Sequence, residues 1–190
     1  MAISQSTHIA IQTSGATVHP LITTEQLAQR VAALAREIST DYQGKPLLAV
    51  GVLHGAYVFM ADLLRQMTTP VRSSFVKVST YGNRTVSSGN ADLHLDLSEP
   101  VDGEHVLLVD DLVDTGVTTD WLIKHLQEKA PASVKLCTLL DKSARRRKSV
   151  TIDYVGFEIP DRFVVGYGID YAGRYRELPY IGYVEPPERS

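Results

Sequence analysis

Three short apolar runs, each followed by a polar loop, most strongly restrict the fold of this chain. They are LLAVGVL at 47–53, HVLLVDD at 105–111 and VKLCTLLD at 134–141. Continuous apolar runs of this length are typical of parallel strands covered on both faces. Helical patterns over 56–67 and 117–129 follow the first two runs, which predicts an α/β fold with right-handed crossovers. Ligands of such sheets bind beyond the carboxyl ends of the strands.

A further helix is predicted before the first run. Apolar residues recur at helical spacing from Leu27 to Ile38, and Thr23 with Gln26 fits a capping box. The helix is expected to end near Gly44.

The size and charge of the chain exclude several classes of protein. Its 190 residues suit one compact domain, and 44% apolar with 22% charged residues is typical of a soluble globular protein. A net charge of -3 gives no general attraction to nucleic acids or anionic membranes. Cys137 is the only cysteine, so no intrachain disulfide can form, which favours a reducing compartment. Without a signal-peptide pattern or a long apolar run, a cytoplasmic location is expected.

Two segments are too polar to join the core. Residues 1–16 are rich in Ser, Thr and Gln and are expected to form a flexible arm before a single domain over 17–190. Residues 82–92 are polar and glycine-rich, and a connection of this length is a lid, a binding loop or a flexible hairpin tip. The alternation of apolar and polar residues from Leu93 to Leu97 then predicts a half-exposed strand.

The stretch LLVDDLVDTGVTTD at 107–120 contains four aspartates within a partly apolar run. Burying carboxylates so close together is costly unless partners neutralise them. Asp110 and Asp111 are expected where a strand leaves the sheet, and the segment from Asp114 to Thr119 is expected to turn into a helix. Amides at a helix N-terminus bind anions, and glycine lets a phosphate approach the backbone. A phosphate, a ribose diol and Mg²⁺ would supply the missing partners.

Other interpretations of this stretch remain open at this point. Asp114 fits an ordinary helix N-cap. The acidic pair also fits a phosphorylation receiver domain, although TIDYVG is a poor match to the rest of such a site. The spacing of a Walker-type phosphate loop is absent.

The segment VLLVDDLVDTGVTT resembles the phosphoribosyl pyrophosphate motif of the type I phosphoribosyltransferases. The segments VGVLHGAYVFMADLL, KVSTYG, LLDK and VGFEIPDRFVVGYGIDYAGRYRELPYIG, in this order, resemble the hypoxanthine-guanine phosphoribosyltransferases. The resemblance covers all but the first two dozen and the last few residues. It implies the type I phosphoribosyltransferase fold, a central mostly parallel sheet flanked by helices. It also implies a small hood from the N-terminal segment and residues 160–190, and a mobile hairpin lid over 80–94 with Thr80 and Tyr81 at its root.

The resemblance also implies roles for individual residues. Asp114 matches the aspartate that exchanges a proton with the imidazole ring of the purine. Asp110 and Asp111 match the pair that holds the ribose hydroxyls directly or through Mg²⁺, and Asp170 matches a ligand of a second Mg²⁺. The 5'-phosphate loop is expected to comprise Thr115, Gly116, Val117, Thr118 and Thr119. Pyrophosphate is expected to meet Leu53, His54, Gly55, Lys77 and Arg176. The purine is expected to meet Lys142, Phe163, Val164 and Asp170.

Two positions depart from the family pattern. His54 stands where lysine is frequent, after a peptide bond that is cis in the family. Asp110 stands where glutamate is more usual, so its shorter side chain would reach the ribose through water or metal.

Structural alternatives exist for the remaining residues. Phe163 would fit a core position, and Lys142 would fit an ordinary solvated lysine. Asp170 and Arg176 would fit a mutual surface ion pair.

The function implied by the resemblance is purine salvage by a Mg²⁺-dependent pentosyltransferase. It would join a 6-oxopurine to phosphoribosyl pyrophosphate, and the sequence does not rank hypoxanthine, guanine and xanthine as substrates. The enzyme is expected to be a homo-oligomer, either a dimer or a tetramer. No nucleic acid or membrane is expected as a partner. One alternative is an RNA-binding regulator with KSARRRKS at 142–149 as a basic patch, although a solvated loop is the expectation for that segment. Another alternative is a transferase for a different base.

Overall fold

The structure is a computed structural model in which residues 12–13, 16–79 and 92–185 are described. Most of the predicted arm lies outside these residues, as do Thr80, Tyr81 and the polar segment of the expected lid. The described elements, in chain order, are β1 Gln12–Thr13, β2 Ala16–Ile22, α1 Thr24–Asp41, β3 Leu47–Leu53, α2 Tyr57–Gln66, β4 Arg72–Ser79, β5 Asp92–Leu95, β6 His105–Val113, α3 Val117–Gln127, β7 Ser133–Asp141, β8 Tyr154–Glu158, β9 Val164–Val165 and β10 Ile181–Glu185.

A six-stranded sheet in the order β5-β4-β3-β6-β7-β8, called here the large sheet, forms the centre of the fold. The neighbours β4-β3, β3-β6, β6-β7 and β7-β8 are all parallel. Only β5 runs antiparallel, pairing with β4. The prediction of a mostly parallel α/β sheet is therefore confirmed.

Alternate residues of the central strands enter two different cores. Ala49 of β3 packs with α1 and α2, whereas Val50 packs with Leu122 and Leu126 of α3. Successive side chains of a strand point to opposite faces, so a strand covered on both sides must be apolar throughout. Burying one such side chain contributes about 1.5–3 kcal/mol, which explains why LLAVGVL reads as an unbroken apolar run.

The helices begin and end close to their predicted positions. Thr23 caps α1 in a complete capping box, in which its hydroxyl accepts from the Gln26 amide and its own amide donates to the Gln26 side chain. The apolar stripe of α1 then packs on the large sheet, with Leu27, Val31 and Leu34 all buried. No helix in the described parts of the chain is both long and apolar enough for a bilayer crossing.

A second, four-stranded sheet in the order β1-β2-β10-β9, called here the small sheet, joins the N-terminal segment to the segment after residue 160. Its pairings β1-β2, β2-β10 and β10-β9 are antiparallel. Its own core contains Val18 and Val165, while Ile22 and Ile181 belong to the core under the large sheet. The small sheet is thus packed onto the domain rather than separated from it.

Candidate active site

The turn after β3 is the first of the loops at the carboxyl edge of the large sheet. The Leu53–His54 peptide is cis, as the family resemblance implies. Gly55 follows so close to the acidic pair that a Cβ there would lie 2.0 Å from Asp111 Oδ2. Lys77 of β4 lies opposite Leu53 in the strand register, which places its backbone at the same edge. Only glycine at position 55 allows the turn and the carboxylate to approach in this way.

The acidic pair lies within β6, because this strand continues to Val113 instead of ending at the aspartates. Pairing with β3 stops at Val109, whereas pairing with β7 continues to Val113. The prediction that the pair sits where the strand leaves the sheet is therefore right for one neighbour and wrong for the other. The backbone that carries the two carboxyl groups therefore stays paired with β7.

Of the two carboxyl groups, that of Asp110 is held away from water and that of Asp111 is partly buried. Asp110 is buried, its Oδ1 accepts from the Asp111 amide at 3.1 Å, and its Oδ2 accepts from the Thr119 hydroxyl at 3.4 Å. Burial, followed by the charge of Asp111, raises the pKa of Asp110 well above its usual range. Burial likewise raises the pKa of Asp111. Both carboxyl groups therefore keep a proton to higher pH than a solvent-exposed aspartate does.

The loop between β9 and β10 carries a second charged group beside this pair. Arg176 Nη2 lies 2.7 Å from Asp170 Oδ1, and Arg176 Nη1 donates to the Gly168 carbonyl at 2.6 Å. The mutual pairing of Asp170 and Arg176 that the sequence left open is thus present. Their charges reach the acidic pair, because Arg176 lowers and Asp170 raises the pKa of Asp111.

The loop before α3 forms a cleft of about 180 Å³, lined by Val52, Val78, Asp110, Leu112, Asp114, Thr115, Gly116, Thr118 and Thr119. Gly116 is the N-cap of α3, with φ of 79°, and no side chain caps this helix. The interpretation of Asp114 as a helix cap is therefore wrong. Val117 is exposed, whereas Thr119 is buried and its hydroxyl is directed to Asp110 rather than to solvent.

Lys142 follows β7 and is only 4% exposed, so the solvated-lysine interpretation is wrong. Its amide donates to the Val113 carbonyl at 3.0 Å, which fixes it at the end of two neighbouring strands. Burial lowers the pKa of the Lys142 amine, while the nearby charges of Asp114 and Asp161 oppose that shift. The Lys142 amine forms no salt bridge with the described residues, and a buried amine of this kind favours a ligand that accepts its hydrogen bonds.

Phe163 is 54% exposed, so the interpretation as a core residue is also wrong. Its ring meets the Tyr171 ring edge-on, with centroids 5.1 Å apart and an angle of 76°. The Val184 amide donates to the Phe163 carbonyl at 2.9 Å, and Val164 is buried in β9. The backbone is thus held by the small sheet while about half of the side-chain surface stays exposed.

The basic segment 142–149 is mostly exposed, as predicted for a solvated loop, but two of its arginines pair with carboxylates of the chain. Arg145 Nη1 lies 3.4 Å from Asp114 Oδ2 and 3.7 Å from Asp161 Oδ1, although the side chain remains 45% exposed. Arg146 pairs with Asp141 at the end of β7. These carboxylates come from different parts of the chain, which is why the local composition did not predict the contacts.

The same segment braces the loop before α3. The Arg147 and Lys148 amides both donate to the Thr115 carbonyl, at 2.9 and 3.0 Å. A Cβ at Gly116 would lie 2.4 Å from the Lys148 carbonyl oxygen. The two loops therefore pack backbone against backbone.

The comparisons with known proteins agree with this geometry. A family model described as a phosphoribosyl transferase domain matches residues 21–172. The hypoxanthine-guanine phosphoribosyltransferase of Bacillus subtilis (strain 168) is 45% identical over 166 residues, which cover 87% of this chain and 92% of that protein. A crystal structure of a hypoxanthine phosphoribosyltransferase from Staphylococcus aureus has a TM-score of 0.85 at 40% identity, covering 88% of this chain and 91% of that one.

A bifunctional protein TilS/HprT from Listeria monocytogenes serotype 4b (strain F2365) is 48% identical over 166 residues. The match covers 87% of this chain but only 26% of that protein, so the chain spans about a quarter of its length. The family model and the Bacillus relative each match most of the chain, and the matched region contains both the acidic pair and the loop before α3. This chain therefore belongs to the phosphoribosyl transferase domain family, and within it to the hypoxanthine-guanine phosphoribosyltransferases.

Proposed function

We propose that this chain is a purine salvage enzyme that transfers the 5-phosphoribosyl group of phosphoribosyl pyrophosphate to a 6-oxopurine. The products are the nucleoside 5'-monophosphate and pyrophosphate. The observation that carries the proposal is the Asp110–Asp111 pair, of which Asp110 is buried and Asp111 partly buried, beside the N-terminus of α3, which no side chain of the described residues caps. A sugar diol can donate to the carboxylates while the helix amides bind its 5'-phosphate.

The phosphate is proposed to occupy the cleft formed by Thr115, Gly116, Val117, Thr118 and Thr119. Gly116 brings the backbone close to the ligand, and the amides of the first turn of α3 have no side-chain cap. The Thr118 hydroxyl adds a donor, whereas that of Thr119 supports Asp110.

Pyrophosphate is proposed to bind between the turn after β3 and the loop after β9. Lys77 and Arg176 supply positive charge there, and the backbone of Leu53, His54 and Gly55 supplies polar groups. Arg176 already lies at this edge, where its charge reaches Asp111. Preorganised charges of this kind stabilise a leaving group without rearrangement during the reaction.

The purine is proposed to stack on Phe163, with the Lys142 amine donating to its six-oxo group and Val164 offering backbone groups. The exposed Phe163 ring and the buried Lys142 amine support this arrangement. Asp170 lies in the loop after β9, which also contains Tyr171, the contact of Phe163.

Asp114 is proposed to receive the proton of the imidazole ring as the purine attacks the anomeric carbon. One of its oxygens, Oδ2, meets Arg145, whereas Oδ1 has no hydrogen-bond partner among the described residues. A buried acceptor without a donor is costly, so a ligand N–H that reaches it is strongly favoured. General base catalysis of this kind contributes roughly 10²- to 10⁴-fold.

Mg²⁺ is the cofactor that these residues fit. The described residues contain no group of three or more His, Cys, Asp or Glu side chains that would hold a metal alone. Mg²⁺ is usually bound by one or two carboxylates together with substrate phosphates, and Asp110 and Asp111 place two carboxyl groups beside the cleft proposed for the phosphate. Asp110 and Asp111 would hold one ion and Asp170 a second. The bound metal would neutralise charge on the departing pyrophosphate.

The RNA-binding alternative loses its main support in the structure. Arg145 and Arg146 of the basic segment are engaged with carboxylates of the chain, and the segment packs against the loop before α3. A cytoplasmic location and a homo-oligomeric state remain proposals, supported by the cysteine content and by the family.

A panel of bases tests the proposed function. The protein is incubated with phosphoribosyl pyrophosphate, Mg²⁺ and one base at a time, and nucleotide and pyrophosphate are measured. We expect hypoxanthine, guanine or xanthine to react and adenine and pyrimidines not to react. Conversion of only a pyrimidine would support the transferase for another base. No conversion, together with retention of RNA on a filter, would support the regulator.

A further inference from the structure

A side-chain hydrogen bond ties the loop after β9 to helix α2. The Tyr167 hydroxyl donates to Asp62 Oδ2 at 2.6 Å, across 105 residues of sequence. Tyr167 is only 7% exposed, and burial, followed by the bond to Asp62, raises the pKa of its hydroxyl. The hydroxyl therefore remains a donor throughout the physiological pH range.

Tyr167 also has a backbone conformation that needs support. Its φ is 50°, in the left-handed region that side chains other than glycine seldom adopt. Such a conformation persists when surrounding contacts fix it. Here the Tyr167 amide donates to the Leu178 carbonyl at 2.8 Å, and the hydroxyl at the other end of the side chain reaches Asp62.

The residue after Tyr167 links this contact to the pyrophosphate side of the site. The Gly168 amide donates to the Arg176 carbonyl at 3.0 Å, and its carbonyl accepts from Arg176 Nη1 at 2.6 Å. A Cβ at Gly168 would lie 2.3 Å from the Gly55 carbonyl oxygen. Gly168 is thus held between the turn after β3 and the guanidinium group, and a shift of Tyr167 would move Arg176.

We propose that Tyr167 and Asp62 are positioning residues, which hold the loop after β9 against α2 and so place Arg176 for pyrophosphate. Neither residue needs to touch a substrate, because both act through Gly168 and Arg176. This inference rests on the proposed function for the identity of the ligand. It assigns a role in phosphoribosyl pyrophosphate binding to the face of α2 that carries Asp62, where the sequence predicts no site residue.

The chain offers a matched control at the other end of the large sheet. The Tyr154 hydroxyl donates to Asp41 Oδ2 at the same distance, 2.6 Å, and is also partly buried. Removing either hydroxyl deletes a tyrosine-to-aspartate hydrogen bond and leaves the ring in place. A purely structural role predicts the same behaviour for both variants.

The experiment compares Tyr167→Phe with Tyr154→Phe in the full chain. For each we would measure kcat, the KM values of both substrates, the melting temperature and the Kd of pyrophosphate with Mg²⁺ by calorimetry. We expect Tyr167→Phe to raise the KM of phosphoribosyl pyrophosphate and the Kd of pyrophosphate about three- to tenfold, which is the usual effect of one hydrogen bond. The KM of the purine should stay within about twofold. Tyr154→Phe should lower the melting temperature similarly and leave every kinetic constant unchanged.

Two variants of the acceptor complete the test. Asp62→Asn keeps an oxygen for the hydroxyl and should retain most of the pyrophosphate affinity, whereas Asp62→Ala should reproduce Tyr167→Phe. Equal changes for purine and pyrophosphate ligands, or equal kinetic effects of Tyr167→Phe and Tyr154→Phe, would overturn the proposal. A wild-type protein that makes no nucleotide, yet loses pyrophosphate affinity on Tyr167→Phe, would contradict the proposed function alone.

Discussion

The pKa values of the carboxyl groups are shifted in opposite directions at the two ends of the large sheet. At the amino end, Asp41 accepts from the Tyr154 hydroxyl at 2.6 Å and lies 3.3 Å from Lys135 Nζ. The hydrogen bond from Tyr154 is the largest of the contributions that lower the pKa of Asp41. At the carboxyl end, Asp110 and Asp111 are packed together, and burial raises both pKa values.

The comparison suggests that the carboxyl end of the large sheet is less stable without a ligand than the amino end. Lys135 also lies 5.2 Å from the centre of the Tyr154 ring, so the amino end surrounds its charge with partners. The carboxyl end keeps like charges together and leaves Asp114 Oδ1 without a donor in the described part of the chain. Groups arranged in this way destabilise the free protein and favour a ligand that completes them.

The largest expected effect concerns Asp114, the residue proposed to accept the purine proton. Asp114→Asn should lower turnover about 10²-fold or more, because an amide cannot accept that proton. The KM of phosphoribosyl pyrophosphate should change little, since other groups hold that substrate. Steady-state kinetics and a melting curve check this. Full turnover with a lower melting temperature would make Asp114 a structural residue like Asp41.

The exposed ring of Phe163 is expected to give the next largest effect. Phe163→Ala should weaken purine binding by about 1–3 kcal/mol, the usual value for stacking of a base on an aromatic side chain. Phe163→Tyr, which keeps the ring, is the control and should bind nearly as well. Calorimetry with each substrate separates the effects, and equal losses for both substrates would remove Phe163 from the purine site.

Asp110 provides a test in which stability and activity move in opposite directions. Asp110→Asn removes a buried like charge, so the free energy of unfolding should rise by about 1 kcal/mol at neutral pH. Activity should fall, because the carboxylate is proposed to serve ribose and Mg²⁺. Urea unfolding measures the first quantity. A destabilised variant would show that the acidic pair is not strained in the free protein.

The smallest effect is expected at the amino end. Asp41→Asn should cost about 1 kcal/mol or less at neutral pH, because 45% of the Asp41 side chain is exposed to solvent. The folded-state pKa of Asp41 is lowered, so its contribution is present above the unfolded pKa and is lost as pH falls through the folded value. Unfolding curves of both proteins should therefore converge at low pH. A constant difference down to that pH would assign the loss to packing instead.

Much of this architecture could be predicted from local sequence signals. The unbroken apolar run at 47–53 gave the bounds of β3 because both faces of that strand are covered, and the capping box located the start of α1. The glycine and threonines at 115–119 predict an anion site and the aspartates at 110 and 111 predict a site for hydroxyls or a cation, because each signal lies within one short segment, and both remain predictions.

The contacts between distant segments could not be predicted in this way. Arg145 meets Asp161, and Tyr167 meets Asp62, only after the sheet has brought separate loops together. The left-handed backbone at Tyr167 also has no local signal, since glycine is the residue that usually marks it. The burial of Lys142 was missed for the same reason, because its basic neighbours suggest a solvated loop.

The order of the strands has a consequence for synthesis of the protein. All strands of the large sheet lie between residues 47 and 158, so a growing chain can assemble them before β10 has been made. The small sheet instead pairs β2 with β10, from opposite ends of the described chain, and such distant pairing forms slowly. Because the Val184 amide donates to the Phe163 carbonyl, the backbone that carries the ring proposed to stack on the purine is fixed only with this last strand. A nascent chain would therefore contain the acidic pair, the loop before α3 and Lys142 before the backbone that carries Phe163 is fixed.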